Sequence, residues 1–433
     1  MTSFKYFNIF ITMHHVKINQ QRLMDDLMAL AQITEPNTAG WTRRFPSEAY
    51  QRGRQWLRAK MEAEGMTTHL DAVGNLFGTL NLTGQDDIST LKPIHVGSHT
   101  DTVMAAGRFD GMLGVLGGLE TARALREAGI VLKHPLVVSD YLSEEATDYA
   151  IACMGSLAMC TSDFKPEWLD RSVRGITLRQ AISDMGGQPD QLGQPLVKAG
   201  DIAASLELHI EQGPVLEARN VRLAAVSGIV GIRRAIFELT GKANHAGGTP
   251  MNLRQDALAV VGRLICAIED VARKMAEKGN GAVGTIGKID IVPNQANVIA
   301  GKVTIYPEVR SLDMQEVDAM WQVVLDTVNA ACAERQVGLK IANATRMDSV
   351  VPPAWMHETV MAVCRNHDPQ AIATPSGAGH DSNYLALVAP AIMIFVPSVD
   401  GRSHAPEEYT SPEDLALGVQ ALAEAVVAVD KRV

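Results

Sequence analysis

Apolar positions along the chain follow a helical spacing in some segments and form short uninterrupted runs in others. Helical spacing predicts amphipathic helices over residues 18–31, 47–65 and 111–129. Ser47 can cap the second of these helices, and Gly65 can end it. The uninterrupted runs predict buried strands over residues 93–98, 135–141, 205–210 and 391–397. Strands that alternate with helices in this way indicate an α/β domain with a largely parallel sheet.

The pattern changes between residues 226 and 347. There a strand, a long helix at 254–278, two strands, a helix at 314–335 and a last strand follow one another. This β-α-β-β-α-β order is typical of a ferredoxin-like α+β domain. We therefore predict a catalytic-type α/β domain in two parts, residues 16–225 and 348–433, interrupted by an inserted domain at residues 226–347.

Composition narrows the class of protein. Of the 433 residues 46% are hydrophobic and 20% are charged, which supports a packed core and excludes a disordered or collagen-like chain. Lys and Arg number 39 against 49 Asp and Glu, a net charge of -10, so nucleic acid is not expected as a partner. No apolar stretch reaches the roughly 20 residues of a membrane-spanning helix, so no membrane span is expected either.

The N-terminal segment and the cysteines indicate the cellular compartment in which the protein is expected. Residues 6–13 are apolar but lack the cleavage site of a signal peptide, so residues 1–14 are predicted to be a frayed extension. The five cysteines are an odd number without a C-x-x-C pair, which favours reduced, buried thiols over disulfides. The cysteines therefore predict a cytoplasmic protein.

Histidine and acidic side chains follow the ends of four predicted strands. They are His99, Asp101 and Asp110 after the first strand, Glu144 and Glu145 after the second, His209 and Glu211 at the third, and His404 after the fourth. In open α/β sheets ligands bind beyond the carboxyl ends of strands, and histidine with carboxylate suits Zn²⁺ or Mn²⁺. Either acid of the adjacent pair could bind metal while the other takes a proton from water. Each residue alone is more often structural, but four coincident strand ends favour a metal site.

Seven motifs carry a family resemblance over nearly the whole chain. They are G-S-H-x-D-T at 97–102, G-R-F-D-G-x-L-G-V at 107–115, H-I-E-Q-G-P-V-L-E at 209–217, G-x-A-N-H-A-G-x-T-P-M at 241–251, P-N-x-A-N-V-I at 293–299, S-G-A-G-H-D at 376–381 and S-H-x-P-E-E at 403–408. The set resembles the two-metal amidase and aminoacylase superfamily, in its branch of N-carbamoyl-L-amino acid amidohydrolases, β-ureidopropionases and allantoate amidohydrolases. The resemblance implies a metallo-aminopeptidase-like catalytic domain interrupted by a ferredoxin-like lid and dimerisation domain.

The resemblance also implies a role for each residue of the predicted metal site. His99 and His209 would bind one ion, Glu145 and His404 the other, and Asp110 would bridge the two. Glu144 would be the general base that carries the proton of the attacking water to the leaving nitrogen. Asp101 would accept a hydrogen bond from the His99 imidazole and fix its tautomer.

Other motif residues would bind the substrate. The resemblance implies that His245 stabilises the oxyanion of the tetrahedral intermediate, usually in the site of a partner subunit. Asn297 and Arg310 would anchor the substrate carboxylate, Gln212 would contact the substrate and His380 would line the site. On the residues alone, His245 is more readily explained as a turn residue. Gln212 could instead make a helix or turn hydrogen bond, and Arg310 could equally be part of a surface ion pair.

Three departures from the family pattern touch the substrate pocket and none touches a predicted ligand. Residues 146–150 read A-T-D-Y-A, where a glycine and an aromatic-ending run are common. Gly248 stands where threonine is common, which predicts a looser loop around His245, and Glu308 stands where aspartate is usual. We therefore expect the chemistry of the family to be intact and the pocket around the cleaved group to be reshaped.

The resemblance implies a cytoplasmic homodimer with two divalent ions per subunit, Zn²⁺, Mn²⁺, Co²⁺ or Ni²⁺. The expected reaction is hydrolysis of the carbamoyl C–N bond of a small carboxylate-bearing molecule, such as an N-carbamoyl-L-amino acid, N-carbamoyl-β-alanine or allantoate. One alternative is hydrolysis of an N-acyl amino acid or a related amide, as in aminoacylases. Another is a catalytically inactive binding protein on the same fold.

Overall fold

The computed structural model describes residues 16–433, so the extension predicted for residues 1–14 lies outside the described part. These residues form two compact units. The first comprises the described chain up to Ala225, with Pro352–Ala373 and His380–Val433; the second comprises Val226–Val351 and Thr374–Gly379.

The helices of the described chain are α1 (Gln20–Ala31), α2 (Glu48–Ala63), α3 (Met112–Glu127), α4 (Met154–Cys160), α5 (Leu178–Asp184), α6 (Val215–Ala218), α7 (Ala257–Ala276), α8 (Met314–Arg335), α9 (Ala354–His367), α10 (Ser382–Leu385) and α11 (Pro412–Asp430). The five predicted helices, α1, α2, α3, α7 and α8, begin and end close to where the apolar spacing places them, and six further helices of these residues were not predicted. Ser47 caps α2 as predicted, because its side chain accepts a hydrogen bond from the Tyr50 N–H.

The strands form one large sheet, one four-stranded sheet and two small ladders. They are β1 (Thr67–Leu70), β2 (Leu76–Leu80), β3 (Ile94–His99), β4 (Leu136–Tyr141), β5 (Ser172–Val173), β6 (Ile176–Thr177), β7 (Ala204–Ile210), β8 (Ala224–Ile229), β9 (Gly231–Thr240), β10 (Asn244–His245), β11 (Val283–Val292), β12 (Val298–Ile299), β13 (Lys302–Ser311), β14 (Gly338–Met347), β15 (Ile372–Ser376) and β16 (Ala391–Val396).

The four predicted buried strands are the centre of the large sheet. Its order is β1-β2-β4-β3-β7-β16-β8-β15, and β4, β3, β7 and β16 run parallel to one another. All four are buried at every position. The flanking strands β1, β2 and β8 join antiparallel, so the parallel prediction holds for the centre only. Because the central strands share one direction, their carboxyl ends lie along one edge.

Helix α3 packs closely on the central strands because it is rich in glycine. A Cβ at Gly114 would lie 2.6 Å from the Ser98 Cβ and 2.7 Å from the Leu208 carbonyl oxygen. Only a residue without a side chain allows this approach. The helix carries Gly111 as its N-cap, so close packing also places the residues before it, Phe109 and Asp110, beside the strand ends.

The second unit contains a four-stranded antiparallel sheet in the order β11-β13-β9-β14. Its chain order, β9-α7-β11-β13-α8-β14, is the β-α-β-β-α-β order that the sequence predicts. The buried residues of α7 and α8 share one core with those of the sheet. The second of the two strands predicted between the two helices is instead two separate strands, because β12 pairs with β10 and β13 pairs with β9.

The prediction of five buried thiols is wrong at one position. All five cysteines are free, but Cys266 is exposed on α7. The helix buries Leu264 and Ile268 against the sheet, and a residue midway between them points to the opposite side. Among the helices of residues 16–433, none has the length and apolar character to cross a membrane.

Candidate active site

Three side chains from three separate segments of the first unit form the first group of possible metal ligands. His99 ends β3, His209 lies near the end of β7, and Asp110 directly precedes the start of α3. The Asp110 Oδ1 atom lies 3.1 Å from His209 Nε2 and 3.7 Å from His99 Nε2. All three residues are buried, and their potential ligand atoms lie within 4.8 Å of one another.

A second group uses the other oxygen of the same carboxylate. Asp110 Oδ2 lies 3.1 Å from His404 Nε2, which in turn lies 3.1 Å from Glu145 Oε1. The potential ligand atoms of Asp110, Glu145 and His404 also lie within 4.8 Å of one another. The two groups therefore meet at Asp110, which presents one oxygen to each of them.

Both buried imidazoles are oriented as metal ligands require. The Nδ1 atom of His99 lies 3.1 Å from the Asp101 carbonyl oxygen, and that of His209 lies 2.8 Å from the Ile210 carbonyl oxygen. A carbonyl oxygen can only accept, so each Nδ1 carries a proton, and Nε2 is the atom of each ring that a metal would bind. Gly111, at φ +74°, allows this packing, since a Cβ there would lie 2.4 Å from the His99 ring. The donor set and its orientation thus fit Zn²⁺, Mn²⁺ or a similar ion.

The carboxylate of Asp101 does something other than what the sequence predicts. Its Oδ1 atom is 3.6 Å from His99 Nδ1, beyond a good hydrogen bond, and the main-chain oxygen contacts the imidazole instead. The carboxylate accepts the main-chain N–H groups of Glu144 and Glu145, each at 3.1 Å. Asp101 therefore holds the loop that carries both acids.

Glu144 belongs to neither ligand group but lies beside the first one. Its Oε2 atom is 3.7 Å from His99 Nε2. Burial raises the pKa of Glu144 well above its usual range, although the charge of His99 opposes the shift. Burial alone would also raise the pKa of Asp110, but hydrogen bonds with His209 and His404 outweigh burial and hold that pKa well below its usual range. The two acids therefore differ: Asp110 is an anion, and Glu144 is suited to carry a proton.

Gln212 and two residues without a predicted role surround the Asp110 carboxylate. Gln212 donates from Nε2 to Asp110 Oδ2 at 2.7 Å, so it contacts the predicted bridging ligand. Ser403 Oγ lies 2.8 Å from the same oxygen, and Glu408 accepts the main-chain N–H groups of Phe109 and Asp110. Ser403 and Glu408 belong to the S-H-x-P-E-E motif, which was the available signal for them.

A third group of possible ligands lies next to the first. His380 is 2% exposed, and its ring centroid lies 4.7 Å from that of His209. Glu207 completes this group and accepts hydrogen bonds from Ser98 Oγ at 2.7 Å and Ser382 Oγ at 2.6 Å. His380 is therefore a buried residue that packs against the predicted ligand His209. Glu207 lies two residues before His209 on β7, a spacing that puts both side chains on one face.

The loop after Glu145, where the sequence departs from the family pattern, lines a cavity of about 320 Å³ in the first unit. Ala146 and Tyr149 come from this loop, while Phe45 and Met104 come from segments far from it in sequence. The lining of this cavity mixes apolar side chains with four charged ones, and the unusual loop contributes directly to it.

The structure places His245 and Asn297 together in the second unit. The strands β10 and β12 pair, and the Ala246 N–H donates to the Asn297 carbonyl oxygen at 2.9 Å. The exposed His245 ring accepts the main-chain N–H groups of Gly247 and Gly248 on Nδ1, at 3.1 and 3.0 Å. With Nδ1 as acceptor, the neutral ring carries its proton on Nε2 and can donate it to an oxyanion. The Gly248 main chain helps to hold this ring.

Arg310 is paired within its own unit. Its Nε and Nη2 atoms donate to Glu308 Oε1 at 3.0 and 2.8 Å, and Nη1 donates to the Gly377 carbonyl oxygen at 2.7 Å. A substrate carboxylate would have to compete with Glu308 for the fork of this guanidinium.

With this geometry established, comparison with known proteins identifies the family. The model of peptidase family M20/M25/M40 matches residues 66–428, most of the chain. The chain belongs to peptidase family M20/M25/M40. Hydrolases of this family are metal-dependent, in agreement with the histidine and carboxylate groups of the first unit.

Relatives within the M20/M25/M40 family match nearly end to end. The N-carbamoyl-L-amino acid amidohydrolase of Geobacillus stearothermophilus is 35% identical over 406 residues, 94% of this chain and 97% of the relative. The allantoate amidohydrolase of Bacillus subtilis is 31% identical over 405 residues, 92% and 95% of the two chains. A crystal structure of an amidase of the hydantoinase/carbamoylase family from Burkholderia multivorans has a TM-score of 0.87 at 30% identity, covering 96% of this chain and 98% of that one.

Proposed function

We propose that this protein hydrolyses the carbamoyl C–N bond of a small carboxylate-bearing ureide, such as an N-carbamoyl amino acid, with two divalent ions. The observation that carries the proposal is the shared carboxylate of Asp110, which offers Oδ1 to one ligand group and Oδ2 to the other. An acid outside both groups, Glu144, lies beside them. A shared carboxylate with an adjacent spare acid is the arrangement that two-metal hydrolysis requires.

The ligands and the proton carrier have separate roles in this proposal. His99 and His209 would hold one ion, Glu145 and His404 the second, and Asp110 both. Bound divalent ions supply Lewis-acid activation of water and of the scissile carbonyl.

Glu144 accepts the proton of the attacking water and returns it to the leaving nitrogen, so that the C–N bond breaks to a neutral amine. Its raised pKa suits both halves of this transfer. The carbamate product loses CO₂ and releases ammonia, so a carbamoyl amino acid yields the amino acid, CO₂ and ammonia.

The choice of a ureide is supported by the relatives. The two relatives described above are named for N-carbamoyl-L-amino acids and for allantoate, which are both ureides. Their chains are matched over at least 95% of their length. Hydrolysis of an N-acyl amino acid remains the second candidate, because the unusual loop at residues 146–150 lines the cavity next to Glu145.

The substrate carboxylate would be bound by Arg310, with Asn297 nearby in the chain. Glu308 occupies two of the Arg310 donors, so a carboxylate would replace one charged partner by another. This exchange favours a substrate with a full negative charge over a neutral amide, since an amide could not compete with Glu308.

We further propose a homodimer through the second unit. The edge strand β11 exposes Ile289 at 36% and Val292 at 58%, and α7 exposes Leu258 at 40% and Ile265 at 39%. An exposed apolar edge strand is a template for pairing with another chain, and a two-fold axis would pair β11 with its own copy. In such a dimer His245 would serve the site of the partner subunit.

The test is ammonia release by the Mn²⁺- or Zn²⁺-loaded protein from N-carbamoyl-L-amino acids, N-carbamoyl-β-alanine and allantoate, with N-acetyl amino acids as the contrast. We expect metal-dependent ammonia from at least one ureide. Glu144→Gln should lower kcat by roughly 10³-fold while metal binding is retained. Turnover of N-acetyl substrates alone would establish the second candidate. Unchanged ligand binding without any turnover would indicate the binding protein.

A further inference from the structure

Cys153, a residue with a buried thiol, contacts Glu144, the proposed proton carrier, at two points. Its Sγ atom lies 3.2 Å from Glu144 Oε1, and its main-chain N–H donates to the Glu144 carbonyl oxygen at 2.6 Å. Within residues 16–433 this thiol is the only hydrogen-bond donor to the Glu144 carboxylate. The other oxygen, Oε2, faces the His99 imidazole.

The backbone around Glu144 is held in an uncommon conformation. Ser143 and Cys153 both have left-handed backbone angles, with φ of 55° and 48°. The Met154 N–H donates to the Ser143 carbonyl oxygen at 3.0 Å, and Asp101 binds the Glu144 N–H. Non-glycine residues adopt this region at a cost, which the surrounding contacts must offset, and such residues concentrate at functional sites. The contacts here fix the turn that carries Glu144.

The two oxygens of the Glu144 carboxylate are thereby made different. Oε1 is occupied by the thiol, while Oε2 has no donor in the described chain and lies on the side of the ligand groups. Burial raises the pKa of the Cys153 thiol well above its usual value, so the sulfur keeps the proton that it donates.

We propose that Cys153 is a positioning residue for the reaction: its S–H group holds Oε1 of Glu144 so that Oε2 is the oxygen that exchanges protons with water and the leaving nitrogen. This inference rests on the proposed function, in which Glu144 is the proton carrier. A side chain of similar size without a donor would leave the carboxylate free to rotate, and misplacement of a general base lowers kcat.

The first test compares four variants on the best ureide substrate. Cys153→Ala should lower kcat about tenfold, the value of roughly one hydrogen bond to a charged group, with KM and metal content unchanged. Cys153→Ser should restore kcat to within about threefold, because a hydroxyl donates at the same place. Cys153→Gly also removes the donor, and glycine suits the left-handed backbone. It should therefore show the same loss of kcat, and it replaces Cys153→Ala if that variant folds poorly. Cys160→Ala is the matched control, a buried thiol at the end of α4, the helix whose N-cap is Cys153, and it should leave kcat unchanged.

The second test is a double-mutant cycle with Glu144→Asp, whose shorter carboxylate is out of reach of the thiol. If Cys153 acts through Glu144, adding Cys153→Ala to this variant should change kcat by less than about twofold. An equal tenfold loss in both backgrounds, or a Cys153→Ala enzyme with the wild-type kcat, would overturn the inference. Failure of the proposed function would give a different result, namely no ammonia from any ureide and no effect of Glu144→Gln.

Discussion

The ligand groups of the first unit and the His245 turn of the second unit are built in opposite ways. The ligands are mostly buried, and their contacts join segments far apart in the chain, as where Glu408 accepts the N–H of Phe109. The His245 ring is exposed and is held by the N–H groups of Gly247 and Gly248, two and three residues away. The proposed metal site therefore depends on contacts across the whole first unit, whereas the turn that holds the His245 ring is formed locally.

The largest expected effect concerns the ligand groups of the first unit. Asp110→Asn should abolish detectable turnover, a loss of about 10⁴-fold or more, because an amide cannot offer an anionic oxygen to each of two ions. The measurement is metal per chain after dialysis, together with ammonia release. Glu211→Gln is the control, since Glu211 caps the turn at Val215 and Leu216 and should retain the metal. Full metal content in Asp110→Asn would show that the two groups are not joined through this residue.

The next largest effect concerns the His245 turn of the second unit. His245→Ala should lower kcat by about 10²-fold, the usual loss for one oxyanion donor, with unchanged metal content. Mixed with Glu144→Gln under subunit exchange, it should recover about a quarter of wild-type activity, because half of the dimers are mixed and each has one complete site. If His245 served its own subunit instead, mixing the two variants would recover nothing.

The smallest effect concerns stability and sharpens the contrast between buried and exposed histidines. Burial lowers the pKa of His95 to about 3, and the charge of His69 adds to the shift. Below its usual pKa near 6.5 the unfolded chain binds a proton that the folded chain refuses, so stability falls as pH drops from 6.5 towards 3. At pH 5 this loss amounts to about 2 kcal/mol.

His95→Gln should therefore flatten the decline of unfolding free energy between pH 7 and 5 by about 2 kcal/mol, measured by urea denaturation of the metal-free protein. Some stability at pH 7 should be lost with the contact between His95 and Ser139, so only the slope is diagnostic. His245→Ala, which alters an exposed ring, is the control. If the unfolding free energy of His95→Gln fell with pH as steeply as that of the wild type, a group other than His95 would cause the acid sensitivity.

The sequence by itself determined the central strands and the edge on which the ligands lie. Runs of apolar residues are local, and strands that share one direction bring their carboxyl ends together, so His99, Asp110, Glu145, His209 and His404 could be placed at one edge before any coordinates. The β-α-β-β-α-β order of residues 226–347 followed from periodicity in the same way.

Only the tertiary structure decided which atoms meet. The thiol of Cys153 on Glu144, and the main-chain oxygen rather than the carboxylate of Asp101 at His99, leave no periodic signal, although each contact joins residues close together in the chain. Which atoms meet depends on rotamers and on left-handed backbone angles, which are set by the surrounding packing. Periodicity reports which face of an element is buried, whereas the partner of a polar atom is chosen only when the segments have packed.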